Sequence, residues 1–299
     1  MTFTQLEIFS LVAELQGFTA AALRLGISQS AISHAIKSLE KELGVPLIVR
    51  DQASIEVTEV GKRLLTRARE ILGLAEAMQQ EVSAARGLRQ GLVRIGSFGP
   101  TSSLKLLPAI LHAFREKYPG VEVQIDEGSD NEVKQWIQDR RVDIGFLVLP
   151  NESFDTVPLV EDEMIAIVPT SHPLSEMASV TAADLQALPF IMSDTGCGAL
   201  VEPAFVRAGL TLRVRYRISQ VMTILGMVQA GDGVAVMPEL ALPGDLECAY
   251  PHLKAVAFRP AIRRRVGLGV RNLQRAAPAV QAFLETARQV SRRGLSPDL

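Results

Sequence analysis

Phe18-Thr19-Ala20-Ala21-Ala22-Leu23-Arg24-Leu25-Gly26-Ile27-Ser28-Gln29-Ser30-Ala31-Ile32-Ser33-His34-Ala35-Ile36-Lys37-Ser38-Leu39-Glu40-Lys41-Glu42 reads as two helices joined by a tight turn. Thr19 is expected to cap the first helix, whose Ala-rich body ends at Leu25. Gly26 supplies the turn, and Ser28 caps the second helix by accepting from an amide one turn further in. At 100° per residue, Ile32, Ile36, Leu39 and Leu43 form one narrow apolar stripe. Ser30, His34, Lys37 and Lys41 lie opposite, with Gln29 and Ser33 on the flank. Short hydrogen-bonding side chains at a helix start, with a cation one or two turns later, suit a helix that enters the major groove of DNA.

With the residues around it, this stretch resembles the winged helix-turn-helix of a LysR-type transcriptional regulator, over residues 1 to about 72. Gln5-Leu6-Glu7-Ile8-Phe9 resembles the family's first helix and Phe18-Thr19-Ala20-Ala21-Ala22 its second. Ser28-Gln29-Ser30-Ala31-Ile32-Ser33, then Ile36, Leu39-Glu40 and Leu43-Gly44, resemble the recognition helix. Val45-Pro46-Leu47-Ile48-Val49-Arg50 and Val57-Thr58-Glu59-Val60-Gly61 resemble the wing and the start of a linker helix. Ile48, Val57, Val60 and Ser30 depart from the family's usual Phe, Leu, Ala and frequent Pro. The resemblance implies that Ser28, Gln29, Ser30, Ser33, His34 and Lys37 read or position double-stranded DNA, with Arg50 and Thr58 anchoring the backbone.

Composition limits the choice. A chain of 299 residues, 47% hydrophobic with net charge −2, has room for two or three domains. No apolar run reaches the roughly 18 residues of a membrane span, and no basic-then-apolar signal segment opens the chain, so a cytoplasmic location without a membrane partner is expected. Cys197 and Cys248 have no metal-site spacing. Charge does not itself suggest nucleic acid, because eight cations in residues 1–70 are matched by eight anions. A positive face must come from distribution, and strength from paired half-sites.

From Glu59 to about Arg89 the residues favour helix. Leu64, Ala68, Ile71, Ala75, Met78, Val82 and Ala85 alternate spacings of four and three, the repeat of a coiled-coil seam. A long helix packed on its own domain is the alternative. The resemblance implies pairing with a second subunit, giving a homodimer or homotetramer. Gly87 and Gly91 are expected to end the helix and form a hinge.

Beyond Gly91, short β-rich runs alternate with helices. Strands are expected at Val93–Gly96, Val121–Ile125, Asp143–Leu147, Met164–Pro169, Phe190–Met192, Val214–Tyr216, Val234–Val236 and Val266–Val270. Helices fall at Leu104–Glu116, Glu132–Asp139, Ala199–Ala208, Val221–Ala230 and Pro278–Ser291. Repeated βα units argue for two α/β subdomains. The expected fold class is therefore α + α/β: a winged helix-turn-helix over 1–58, a linker helix over 59–89 and a two-lobed effector domain over 91–299. That last part resembles a periplasmic binding protein, with lobe one about 91–162 and 266–299 and lobe two about 163–265. Crossing connections fall near Val160–Met164 and Arg263–Val266.

A cleft between such lobes suits a small ligand. Ser97, Phe98, Gly99, Thr101 and Ser102 follow the first strand and enter a helix. Thr195, Gly196 and Gly198 do so in the second lobe, and Ser219 precedes the Val221 helix. Helix N-termini favour a carboxylate or phosphate, and Asp194 weighs mildly against a polyanion. By the family resemblance, Gly128, Ser129, Phe146 and Val148 complete the first wall. A small carboxylate effector is expected, with no other cofactor or metal and no catalytic residue; RNA polymerase is a further partner the resemblance suggests.

Other readings of these residues are weaker. His34 has no sequence-near histidine for a metal. Cys197 could serve a redox switch, but Cys248 is far along the chain. Arg263-Arg264-Arg265 reads as a solvated run or an ion-pair cluster at the crossover rather than a nucleic-acid site. Ser102-Ser103-Leu104-Lys105 and Ser38-Leu39-Glu40-Lys41 both fit Ser-x-x-Lys, yet the companion motifs of such enzymes are missing.

Overall fold

Helix α1 (Phe3–Leu15) starts with a capping box in which Thr2 and Gln5 satisfy each other's amides. The computed structural model describes residues 1–50, 55–85, 87–88, 90–194 and 198–293. It divides into two units, residues 1–87 with 139–141 and residues 88–138 with 142–299.

In the first unit, α2 (Phe18–Leu25) begins one residue earlier than expected. Gly17 is its N-cap, without a side-chain bond, because Phe18 is drawn into the core; Thr19 falls inside the first turn and does not cap. Gly26, at φ 66°, makes the turn. Helix α3 (Gln29–Leu43) is capped by Ser28, whose Oγ accepts from the Ala31 amide at 3.2 Å. Ile32, Ile36 and Leu39 are buried with Leu6, Ile8, Phe9 and Val12 in one core. Full burial of such side chains contributes about 1.5–3 kcal/mol each. Leu43, expected on this stripe, is exposed at the helix's last position.

Glu40 fixes the exit from α3, accepting from the amides of Leu47 at 2.8 Å and Ile48 at 3.1 Å. Strands β1 (Ile48–Arg50) and β2 (Ile55–Val57) then pair antiparallel as a small wing, with Ile48 opposite Val57. Ile48 and Val57, two of the four departures from the family pattern, pack on the same core. Helix α4 (Glu59–Ala84) follows, capped by Thr58. A Cβ on Gly61 would lie 2.4 Å from the Leu47 carbonyl oxygen and 2.8 Å from Val57 Cγ1. The wing therefore needs glycine there.

Along α4 the expected seam divides. Leu64 and Ala68 pack into the unit's own core, whereas Ile71, Met78 and Val82 are 37%, 70% and 60% exposed; Leu74, outside the expected seam, is exposed as well. Gly87 has the positive φ of a helix end, but Gly91 opens a strand.

In the second unit, β3 (Gly91–Phe98) runs parallel to β4 (Val121–Gly128) and β5 (Ile144–Leu149), the βαβ arrangement the sequence predicts. Helices α5 (Leu107–Lys117) and α6 (Asp130–Gln138) connect them. A π-helical turn, Thr101–Leu106, precedes α5, so the expected single helix from Leu104 is in two parts.

Strand β6 (Asp155–Pro169) is longer than expected: the proposed connection at Val160–Met164 is continuous strand. Around it lie β7 (Ser179–Thr181), α7 (Ala182–Leu185), β8 (Phe190–Ser193), α8 (Gly198–Arg207), β9 (Val214–Ile218), α9 (Val221–Gln229) and β10 (Ala235–Pro238). Then come α10 (Leu246–Ala249), β11 (Leu253–Arg259), β12 (Arg263–Val270) and α11 (Pro278–Arg292). The order β4-β3-β5-β12-β6-β11-β7 makes one sheet, with β10 also on β6; β8 and β9 form a second. The first part of β6 pairs with β12 and its later part with β10 and β11, so β6 and β12 carry the chain between lobes. Phe114 meets Phe283 edge-on at 5.1 Å, seating α11 on lobe one as expected. No described helix is long and apolar enough to cross a membrane.

Gly61→Ala should lower the stability of the first unit by about 1–3 kcal/mol through overpacking against Leu47 and Val57. Hydrogen exchange in α1–α3 reads it. Protection equal to that of the parent would show that the wing moves aside without cost.

Candidate functional sites

The outer side of α3 is polar because its other side is fully committed to the core. Ser28, Gln29, Ser30, His34 and Lys37 are exposed and Ser33 half-buried, so the structure brings six predicted residues to one helix face. Ser28 Oγ lies 2.9 Å from Ser30 Oγ, which orders the start of the helix. Thr58 has another task. Its hydroxyl donates to the Pro46 carbonyl and accepts from the Gly61 amide, both at 2.9 Å, tying wing to linker helix. Arg50 ends β1, and its side chain lies outside the described residues.

Charge distribution resolves the neutral sum. Among the described residues Arg24, Lys37 and Lys41 make no ion pair, whereas on α4 Lys62 meets Glu59 at 2.7 Å and Arg67 meets Glu70 at 3.0 Å. Glu42 is engaged by the terminal ammonium and Glu40 by backbone amides. The hydrogen bond and charge of Lys62 hold the Glu59 carboxyl below its usual range and raise Lys62. Cations on the helix-turn-helix thus stay available while those on α4 are partly neutralised.

In the second unit, the end of β3 meets lobe two around a cavity of about 10 Å³, lined on one side by Phe98, Gly99 and Thr101 and on the other by Ser193, Val221 and Met237. The space is about that of one water molecule. Beneath it Arg264 grips Asp162 twice, Nε to Oδ1 at 2.8 Å and Nη2 to Oδ2 at 2.7 Å, with each side chain only 3% exposed. The same Nη2 donates to Thr101 Oγ1 at 2.8 Å, and the Leu240 amide donates to Asp162 Oδ2 at 3.3 Å.

Of the predicted effector residues, Phe98, Gly99 and Thr101 line this cavity. Ser97 and Ser102 are buried pins of their own loop: their hydroxyls lie 3.0 Å apart, and Ser102 Oγ accepts from the Phe98 amide at 3.0 Å. Gly128 sits under the Trp136 ring, Ser129 bonds Glu132, and Phe146 is core. Val148 and Gly198 are half-buried and Ser219 exposed, none of them lining the cavity. Thr195 and Gly196, like Cys197, lie outside the described residues. Arg264, Ser193, Val221, Met237, Pro238 and Ala241 were not predicted as lining residues. Arg264 belongs to an ion-pair cluster, as one reading of the arginine run had it, but it is buried rather than solvated. Among the described residues no group of three or more His, Cys, Asp or Glu could hold a metal ion.

Residues 3–62 match the family model "Bacterial regulatory helix-turn-helix protein, lysR family", and residues 86–292 match "LysR substrate binding domain". The chain is 37% identical over 297 residues to the probable HTH-type transcriptional regulator LrrA of Synechococcus elongatus, covering 97% of this chain and 98% of that one. It is 35% identical over 292 residues to the uncharacterized HTH-type transcriptional regulator YvbU of Bacillus subtilis, covering 97% and 99%. Full-length CbnR complexed with its target DNA is similar in structure, with a TM-score of 0.66, 25% identity and 97% and 99% of the chains covered.

Arg264→Met alone would leave Asp162 as a buried, unpaired carboxylate, a loss of about 3–5 kcal/mol. Urea unfolding followed through Trp136, the only tryptophan of the chain, measures it. A loss below 1 kcal/mol would mean that water already reaches the pair.

Proposed function

The chain belongs to the LysR family of transcriptional regulators, and from that premise we propose that Gln29, Ser30, Ser33, His34 and Lys37 meet DNA while a small carboxylate bound near Thr101 switches the response. The observation that carries the DNA reading is the single polar face of α3, backed by a buried stripe and flanked by Arg24, Lys37 and Lys41, which make no ion pair among the described residues. A helix so mounted presents its N-terminal side chains to base edges in the major groove, and Lys37 to phosphate. Ser28 acts first as a cap and Thr58 as a fastener of the wing; Arg50 is assigned to the backbone from its place in the wing.

The protein works as a homodimer or homotetramer, in the cytoplasm where its DNA is, without catalytic activity and with RNA polymerase as a downstream partner. Support for self-association comes from Ile71, Met78 and Val82, residues of the three-four repeat that α4 leaves exposed, with Leu74 exposed near them. A second copy of α4 would cover it. Effector binding biases one arrangement of the lobes by its differential affinity, and paired heads convert that bias into altered DNA geometry.

Footprinting on the DNA upstream of its own gene, against scrambled DNA, tests the first assignment. Paired protected half-sites are expected, and binding of equal strength to both DNAs would reject it. Gln29→Ala should weaken specific binding by about 1–3 kcal/mol. Lys37→Ala should reduce the salt dependence by about one phosphate contact on either DNA. Met78→Glu should shift the sedimenting species towards monomer at micromolar concentration; an unchanged species would place the interface elsewhere.

A further inference from the structure

Pro46-Leu47-Ile48, the lead into the wing, is held from two sides. From α3, Glu40 turns one carboxylate oxygen, Oε1, to the amides of Leu47 at 2.8 Å and Ile48 at 3.1 Å. From the start of α4, Thr58 takes the carbonyls: its hydroxyl donates to Pro46 at 2.9 Å and its amide to Leu47 at 3.0 Å. All four backbone groups from the Pro46 carbonyl to the Ile48 amide are thus engaged by two residues. The Leu47 side chain is buried in the core, and Gly61 lets α4 come directly against the Leu47 carbonyl oxygen. Glu40 stands in the last turn of α3, where its own carbonyl accepts from the Gly44 cap at 2.8 Å. A carboxylate at that end of a helix opposes the dipole, so local helix stability does not account for it. Two successive amides converging on one anionic oxygen do.

We propose that Glu40 is a positioning residue for DNA recognition: through Pro46–Ile48 it locks α3 to α4, and so sets the half-site spacing that a pair of subunits reads. This deepens, and rests on, the DNA and self-association readings above. With α4 as the element that meets a second copy, the orientation of α3 on α4 fixes the distance and angle between the two recognition helices. The apolar core alone does not fix it, because hydrophobic contact is non-directional and tolerates a small rotation of α3. Hydrogen bonds are directional, and the Glu40 and Thr58 bonds meet on the same short segment from opposite helices. Gln29 and Ser33 then decide which bases each half reads, and Glu40 decides how far apart the halves lie, without itself touching DNA.

Full-length protein is tested on the footprinted upstream DNA with its native half-site spacing and with base pairs inserted or removed between the halves. The parent should prefer the native spacing. Glu40→Ala should keep its discrimination against a base change within a half-site while its spacing preference falls about tenfold, the worth of one charge-assisted hydrogen bond. Glu40→Gln keeps an acceptor oxygen at the same reach and should restore most of that preference. Without DNA, hydrogen exchange across Leu47 and Ile48 should quicken in Glu40→Ala and return towards the parent in Glu40→Gln. General loss of structure would instead weaken every operator by the same factor. That result, a spacing preference unchanged in Glu40→Ala, or specific binding by the parent with no spacing preference would overturn the proposal. Should Glu40→Ala not fold, Thr58→Val decides, since it frees the same segment from the α4 side and should relax the spacing preference; an unrelaxed preference overturns the lock. A parent that binds operator and scrambled DNA alike rejects the DNA reading itself, whereas a parental spacing preference that the variants retain rejects the role of Glu40 alone.

Discussion

The pairing of Glu161-Asp162-Glu163 with Arg265-Arg264-Arg263 is the constraint on which the effector-binding half depends. Each arginine stands directly opposite one acid across the antiparallel β6–β12 ladder. Side chains alternate faces along a strand, so the central pair turns inward while the outer ones stay near solvent. Arg263 lies 3.7 Å from both Glu161 and Glu163, worth little at that exposure, whereas Arg264 and Asp162 are dry and doubly bonded. A one-residue slip would move Arg264 to the solvent face and bury a different charge without its partner. Register is thus set electrostatically where the chain passes between lobes.

That inward pair also explains why the cleft is polar at its base and apolar elsewhere. Desolvating two ions is tolerable only when geometry satisfies nearly every donor and acceptor. Here Thr101 and the Leu240 amide supply the outer contacts, one from each side of the cleft. The interaction that fixes the strands therefore also governs how closely the walls approach.

Local chemistry was legible in the sequence. Ser28 and Gly26 do what their residue types predict, and Ile32, Ile36 and Leu39 occupy the predicted stripe, because caps, turns and helix periodicity depend on neighbours in the chain. Thr19 failed as a cap because burial of Phe18 set the helix start, a tertiary effect. The three-four spacing on α4 falls on a continuous helix, but periodicity does not name its partner: Leu64 and Ala68 face their own core, and Met78 does not. The cavity was half legible. Loops after strands are marked by their residue types, but not which hydroxyls each loop uses internally, as Ser97 and Ser102 do. Met237 and Val221 reach the site only because β10 pairs back on β6 and α9 packs beside it. The Glu-Asp-Glu and Arg-Arg-Arg runs were a usable signal, a hundred residues apart, that pairing of complementary triplets would have exposed.

A cavity of about one water's volume, partly open to solvent, sets a condition on any ligand that uses it. Opening the walls breaks favourable apolar contacts and the Arg264–Thr101 bond, so a purely apolar guest gains mainly what the walls already had from each other. A guest with an acceptor gains more, since it can replace the Arg264–Thr101 bond it breaks with bonds of its own. Only the second kind binds the open arrangement better than the closed one. Differential affinity of that sort is the sole means by which a ligand shifts a conformational equilibrium.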